Sequence, residues 1–402
     1  MFKNVSKRYK IFIISVSCVL LALAIVLITL FYTTQNNIKN YLSLDVLHLP
    51  QENKIDLDSS SDYLGQPDMV RTKTGKYIVV YPEGHGHGSL IMQTSMDGKN
   101  FTKQECPESW KNSQEVPTIY TLDRIDGSQY IILISGKPYW VADNLKADGF
   151  QYSLSKDDGE IWSEFTTVYS PMDCIVAMSS LTQLKENGEF VDKWMGTFHT
   201  HKFVNYKTIL SFDENDDVVW SEPEPILSEY REIEKKNKLC EIEIIRAHND
   251  TLIMLTRNEA RGGKTSMISY SNDEGESWTK PVYLPYDLSG DRFSAIYDET
   301  NDKVLISFRQ IIPHKPNALS MTKFMTYGWV LWIGNMDDLL SYNQGKTIGD
   351  CLLVLGEDSS GDCGYSGLVD ENGNITAVSY GHFLSSDKSN IMLTNFKVED
   401  FI

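Results

Sequence analysis

The stretch Leu239-Cys240-Glu241-Ile242-Glu243-Ile244-Ile245-Arg246 sets carboxylates into an apolar, alternating run. Cys240, Ile242 and Ile244 form one inward set, which leaves Glu241 on the other face of a strand. A further run from Asp250 to Asn258 ends in Arg257. Arginine suits an anionic group because its planar fork offers two parallel hydrogen bonds. Arg292, in Gly290-Asp291-Arg292-Phe293, and Arg309, closing Val304 to Arg309, offer the same chemistry. The loop Tyr81-Pro82-Glu83-Gly84-His85-Gly86-His87-Gly88-Ser89 alternates glycine with histidine, which lets backbone approach a ligand closely. Glu83, His85 and His87 are its candidates for proton transfer, and histidine serves as acid or base at neutral pH. Two histidines at i and i+2 with no clear further ligand make a weak metal site. Glu115 before a strand-like run, and His199 and His201 at a strand end, read as ordinary loop residues.

These groups lie far apart in sequence, so a repeated framework must gather them. Ser155 to Trp162 reads S-x-D-x-G-x-x-W, and so does Ser271 to Trp278. Ser95 to Phe101 is a shorter version, and Ser211-Phe212-Asp213 followed by Trp220 a longer one. The starting serines are spaced by 60, 56 and 60 residues. Ser and Asp oxygens accept backbone N–H bonds inside a tight turn, glycine takes the left-handed conformation, and the aromatic ring plugs the turn from below. Strand-like runs flank each copy, so the motif is a hairpin turn used once per unit. A strand-rich unit of about 60 residues fits a propeller blade with long outer loops, and about six such units fill the chain. Leu227 to Lys238 is the best short helix or charged loop.

With these turns in place, the chain resembles the sialidase-like (neuraminidase, BNR/Asp-box) six-bladed propellers over roughly Asp62 to Leu384. The resemblance implies an all-β fold with ligand on the axis and with the box turns away from it. Leu239 to Asn258 is similar to the family stretch that begins with the catalytic Glu and ends with a binding Arg. Glu241 would then polarise a tyrosine and Arg257 bind an anionic group. Asp362-Cys363-Gly364-Tyr365-Ser366-Gly367-Leu368 resembles the stretch that carries the nucleophilic tyrosine, which implies Tyr365. A phenol with pKa near 10 needs a neighbouring base to act as nucleophile at neutral pH. Arg292 or Arg309 would be the third anion-binding arginine. The family's first-blade arginine is missing: the matching place reads Leu64-Gly65-Gln66-Pro67, so Gln66 takes that contact, with Arg71 displaced along the strand. The loop that carries the family's acid has no aspartate, which leaves Glu83 and His85 as catalytic candidates and His87 as a substrate contact. The implied activity is removal of a terminal, acidic sugar such as sialic acid from a glycan, with no cofactor, although without the first arginine another acidic or a neutral sugar fits the residues nearly as well. The alternative is a carbohydrate-binding propeller without turnover, and a purely adhesive propeller ranks last.

Of 402 residues, 41% are hydrophobic and 23% charged, enough for a large core and against wholesale disorder. The net charge of −18 argues against a nucleic-acid partner. Lys3, Lys7, Arg8 and Lys10 precede an apolar run from Ile11 to Tyr32. That run is longer than the core of a cleaved signal and offers no small-x-small site. The expected organisation is a cytoplasmic segment over 1–10, a transmembrane helix over 11–32 and a polar stalk over 33–61. A monomeric propeller over 62–402 would follow, outside the cell and tethered to its membrane. Five cysteines outside the anchor, irregularly spaced, are not a disulfide scaffold.

Overall fold

The computed structural model describes residues 16–29, 42–61, 63–85, 88–111, 115–141, 144–169, 172–260, 264–313, 325–342, 346, 348–358, 361–383 and 388–402. Its strands form six sheets of four or five strands. They are the six blades of the expected propeller. The inner strands are Asp68–Arg71, Glu115–Asp123, Ile175–Glu186, Leu239–Arg246, Asp291–Asp298 and Ser366–Glu371. Each touches the next, and the sixth touches the first, so the ring is closed.

The apolar residues fall in clusters between neighbouring blades. Ile78 and Val80 of blade one, for example, pack with Ile131 and Leu133 of blade two. Trp110 lies edge-on to Trp162 between these blades, with ring centroids 5.2 Å apart.

The four box turns join the third strand to the fourth in blades one to four. In the copy at 155, the Gly159 N–H donates to Ser155 Oγ at 2.9 Å, and the Ile161 N–H donates to Asp157 Oδ1 at 2.9 Å. The copy at 271 repeats both bonds, from the Gly275 and Ser277 N–H groups, at the same 2.9 Å. Gly275 has φ +83°, and a Cβ there would lie 2.7 Å from Met195. Trp162 and Trp278 are buried beneath their turns. In the longer copy Asp213 accepts the Asp217 N–H at 3.0 Å instead. The motif stops after four copies for a topological reason. Blade five replaces the turn by a connection holding the short helix Met336–Leu340, and blade six takes its outer strand from the start of the chain.

That outer strand, Lys54–Asp58, pairs antiparallel with Asn390–Lys397, Ile55 lying opposite Leu393. Asp45–His48 pairs parallel with Cys351–Asp358 on the edge of blade five. The stalk expected over 33–61 is therefore part of the propeller from Asp45 onward, and the boundary at 62 is corrected. Ile55 and Leu57 pack inward while Lys54, Asp56 and Asp58 alternate with them, and the acidic partners make so short a strand read as polar. Asp58 is buried, accepts a hydrogen bond from Tyr81 at 2.6 Å and lies 2.7 Å from Lys103 Nζ.

At the chain start, residues 16–29 are helical. Among the described residues no helix is long and apolar enough to cross a membrane. The expected span over 11–32 also takes in residues 11–15 and 30–32, which lie outside the described residues. The expected short helix appears at Arg231–Asn237. All six cysteines are free thiols.

Candidate active site

The inner strands enter the ring through a shared distortion. Register shifts fall after Glu115, Ile175, Cys240 and Asp291 in blades two to five. Beside them Val116, Val176, Glu241 and Arg292 have φ between +43° and +51°. Gln66 (φ +37°) and Gly364 (φ +88°) take the left-handed region at the entries of blades one and six. A bulge re-aims a side chain and is common beside functional sites. Left-handed β-branched residues such as Val116 and Val176 each cost on the order of 1–3 kcal/mol. The bulge also corrects the alternation expected around Glu241. Cys240, Glu241 and Ile242 are buried in succession, and Glu241 reaches the axis through its positive φ.

Glu241, Arg257 and Tyr365 meet there. Tyr365 Oη donates to Glu241 Oε1 at 2.8 Å. Arg257 Nη1 donates to the same Oε1 at 2.8 Å and to Tyr365 Oη at 2.8 Å. Backbone pairing supplies the alignment: Arg257 lies opposite Cys240 in blade four. Tyr365 follows Gly364, whose N–H donates to Tyr380 O at 3.1 Å. A Cβ on Gly364 would lie 3.0 Å from the Cβ of Arg309, so the close approach suits glycine. Burial pushes the Tyr365 phenol well above its ordinary pKa, and Glu241 adds to the rise against Arg257 and Arg309. Burial, the largest single influence, would raise Glu241 too, but the positive charges around it, Arg257 foremost, together hold the carboxyl below its ordinary pKa. Glu241 is thus an ionised acceptor for the tyrosine proton, and its second oxygen, Oε2, is buried without a hydrogen-bond partner among the described residues.

The two candidates for the third arginine separate. Arg309 lies opposite Asp291 in blade five, and its guanidinium carbon sits 5.3 Å from the centre of the Tyr365 ring. It donates to Asp291 Oδ2 from Nη2 at 2.8 Å and from Nε at 3.1 Å. Asp291 Oδ1 is 3.1 Å from Arg257 Nε, so one carboxylate bridges both arginines. Arg257 Nη2 is paired with Glu259. Arg292 instead lines a separate axial cavity of about 210 Å³ with Asp68, Tyr120 and Glu243. Burial raises Asp68 to about 6 and Glu243 to about 8, in both cases against the pull of Arg292.

A polar chain leads from Tyr365 to the first-blade loop. Tyr380 stands edge-on to Tyr365 and donates to Asp362 Oδ1 at 2.6 Å. Tyr63 donates to Asp362 Oδ2 at 2.9 Å and lies 3.5 Å from His85 Nδ1. Gln66 Nε2 is 3.1 Å from that same nitrogen. His85 is exposed at the end of this chain. Glu83 is exposed as well, and no side-chain bond joins it to the cluster among the described residues. His87 lies outside the described residues. Arg71 points away: it pairs with Glu371 beside a cavity of about 790 Å³ at the opposite ends of the inner strands. That cavity is larger than the axial one, yet it holds none of the Tyr365 cluster.

His201 pairs with Asp173 at 2.5 Å, as an ordinary loop residue. His199 is buried, stacked on Phe203, with Nδ1 3.1 Å from Thr200 O. Burial lowers its pKa, and Glu241 is among the charges it feels. Asp291, Glu259, Asp362, Tyr63 and Tyr380 join the centre without having stood out in the sequence. Asp291 is adjacent to Gly290 and reads there as a turn residue. Only its pairing opposite Arg309 gives it a place.

The BNR repeat-like domain family matches residues 139–307. No curated protein matches the sequence. Among solved structures, a protein of unknown function from Dyadobacter fermentans superposes with a TM-score of 0.62 at 16% identity, over 86% of this chain and 98% of that one. The K499G mutant of the NanB sialidase from Streptococcus pneumoniae gives 0.55 at 9% identity, over 88% and 72% of the two chains. The Hadza microbial sialidase Hz136 gives 0.54 at 15% identity, over 85% and 67%. At such identities the likeness is one of fold.

Proposed function

We propose that the chain is a divergent member of the sialidase-like superfamily of six-bladed propellers and that it is a glycoside hydrolase acting on a terminal sugar, a reading supported by the BNR repeat-like match and the propeller fold. The observation that carries the proposal is the Tyr365–Glu241–Arg257 triangle, with all three contacts at 2.8 Å. Tyr365 Oη attacks the anomeric carbon as its proton passes to Glu241 Oε1, and the bond to the leaving oxygen breaks. His85, at the far end of the Gln66 and Tyr63 contacts, supplies the proton to that oxygen. Water, deprotonated by His85, then attacks the glycosyl–tyrosine bond and releases the sugar, and Glu241 returns the proton to Tyr365. A tyrosine nucleophile is a known exception to the two-carboxylate pattern of glycosidases. Arg257 holds Glu241 ionised and steadies the phenolate as it forms. Glu83 is a second proton donor from the same loop, and Gln66 and His87 are contacts for the sugar.

The chain is further proposed to be held at a membrane by residues 11–32 with the propeller outside the cell, supported by the apolar run behind four basic residues. A screen of residues 42–402 against aryl glycosides, the sialoside included, tests the activity. The absence of turnover with retained glycan binding would favour a carbohydrate-binding propeller. One observation supports that alternative: the first-blade loop lacks the aspartate of the family pattern.

A further inference from the structure

We propose that the sugar ring bound beside Tyr365 carries no carboxylate, because Asp291 already occupies the fork between Arg257 and Arg309. This rests on the glycosidase reading for the location of the site, and it departs from the acidic sugar that the resemblance implies. Each nitrogen of the two guanidiniums faces an acceptor of the chain itself. On Arg257, Nη1 meets Glu241 and Tyr365, Nη2 meets Glu259, and Nε lies 3.1 Å from Asp291. On Arg309, Nε and Nη2 meet Asp291 and Nη1 donates to Gly361 O at 2.9 Å. A planar fork binds a carboxylate through two parallel N–H bonds; on Arg309 those bonds are already made to Asp291, and on Arg257 both terminal nitrogens are taken while Nε stands in ion-pair contact with the same carboxylate.

The charge balance points the same way. Glu241, Glu259, Asp291 and nearby Asp362 set four carboxylates against two guanidiniums, and at the entry of blade one a neutral Gln66 stands where an arginine would add positive charge. A further carboxylate would enter a negative field in a buried setting, where screening by water is weak. Among the described residues, the buried site atoms without a hydrogen-bond partner are two acceptors, Glu241 Oε2 and Gln66 Oε1, and one donor, Arg257 Nε, which stands in ion-pair contact with Asp291 at 3.1 Å. The two acceptors call for donors, and the hydroxyl groups of a neutral sugar provide them.

The test uses the full chain in detergent solution, as wild type and as Asp291→Ala. N-acetylneuraminic acid is the anionic probe in calorimetric titration. Nitrophenyl glycosides of fucose, rhamnose, galactose and N-acetylglucosamine are assayed beside the nitrophenyl sialoside. Wild type is expected to cleave a neutral glycoside in preference to the sialoside. Asp291→Ala is expected to bind N-acetylneuraminic acid at least about tenfold more tightly than wild type, about 1.4 kcal/mol, with the gain weakening in salt. Wild type that prefers the sialoside overturns the proposal, as does a folded Asp291→Ala that gains nothing. Should Asp291→Ala fail to fold, Asp291→Asn keeps the shape, removes the charge and carries the same comparison. No turnover of any glycoside, with the affinity gain intact, would sink the hydrolase reading and leave this one standing.

Discussion

Tyr365 and Glu241 stand 124 positions apart in sequence and share a 2.8 Å hydrogen bond at the centre of the ring. The phenol is the donor and the carboxylate the acceptor, the arrangement that proton removal from tyrosine requires. Two left-handed residues make the meeting possible, Glu241 itself and Gly364 just before Tyr365.

Tyr365→Phe removes one oxygen and keeps the ring that packs against Tyr380 and Arg309. Aryl glycoside turnover is expected to fall at least about a hundredfold, while the melting temperature moves by a few degrees at most. Turnover unchanged by this substitution would refute the nucleophile assignment.

The pH profile should report Glu241. Its carboxyl must be ionised to accept the proton, and its pKa lies below the ordinary 4.5. The acid limb of kcat/KM is therefore expected below about pH 4.5, measured with enzyme verified as folded at each pH. Glu241→Gln should lower the rate by about a hundredfold or more and flatten that limb.

Glu243 makes a stability prediction of opposite sign. Its folded pKa is raised from 4.5 to about 8, so between these values the folded state holds more protons than the unfolded one. Wild-type stability should fall as pH rises through that window, the favourable contribution being complete below about 4.5 and lost above about 8. Part of this side chain borders the axial cavity and part is closed in by protein, so solvent moderates the effect. Glu243→Gln should show a smaller decline, by on the order of 1–3 kcal/mol, in denaturant melts at pH 5 and pH 9. Parallel declines in both proteins would count against the shift.

A chain cut to begin at residue 62 loses the outer strands of blades five and six, together with Asp58 beneath Tyr81 and Lys103. It is expected to aggregate or to melt well below a chain that begins at residue 42, measured by thermal scanning and size exclusion. Equal melting of the two would show that the paired strands contribute little.

The box turns were legible because all of their bonds are local. Ser155 to Trp162 contains the donors, the acceptors and the plug within eight residues. The spacing of the copies then carried the blade count. Glu241, Arg257 and Tyr365 were found through family resemblance, and the strand pattern alone placed Glu241 by an alternation that its bulge breaks. A bulge leaves no mark in composition, since Val116, Glu241 and Arg292 share it with unrelated side chains. Arg292 and Arg309 could not be told apart in sequence, because the choice depends on which layer of the axis each side chain enters. Asp291 was invisible for a related reason: its function comes from a neighbour across the sheet and another from the next blade.

The pairing of Lys54–Asp58 with Asn390–Lys397 sets the order of events in the life of the chain. The ring cannot shut until the last strand has been synthesised, so the early segment must wait through more than 300 residues of intervening polypeptide. Once it is shut, a pull from the amino-terminal side reaches the Asp45–His48 strand on blade five first and this seam next. Mechanical load and assembly thus converge on two short early strands, at the edges of blades five and six.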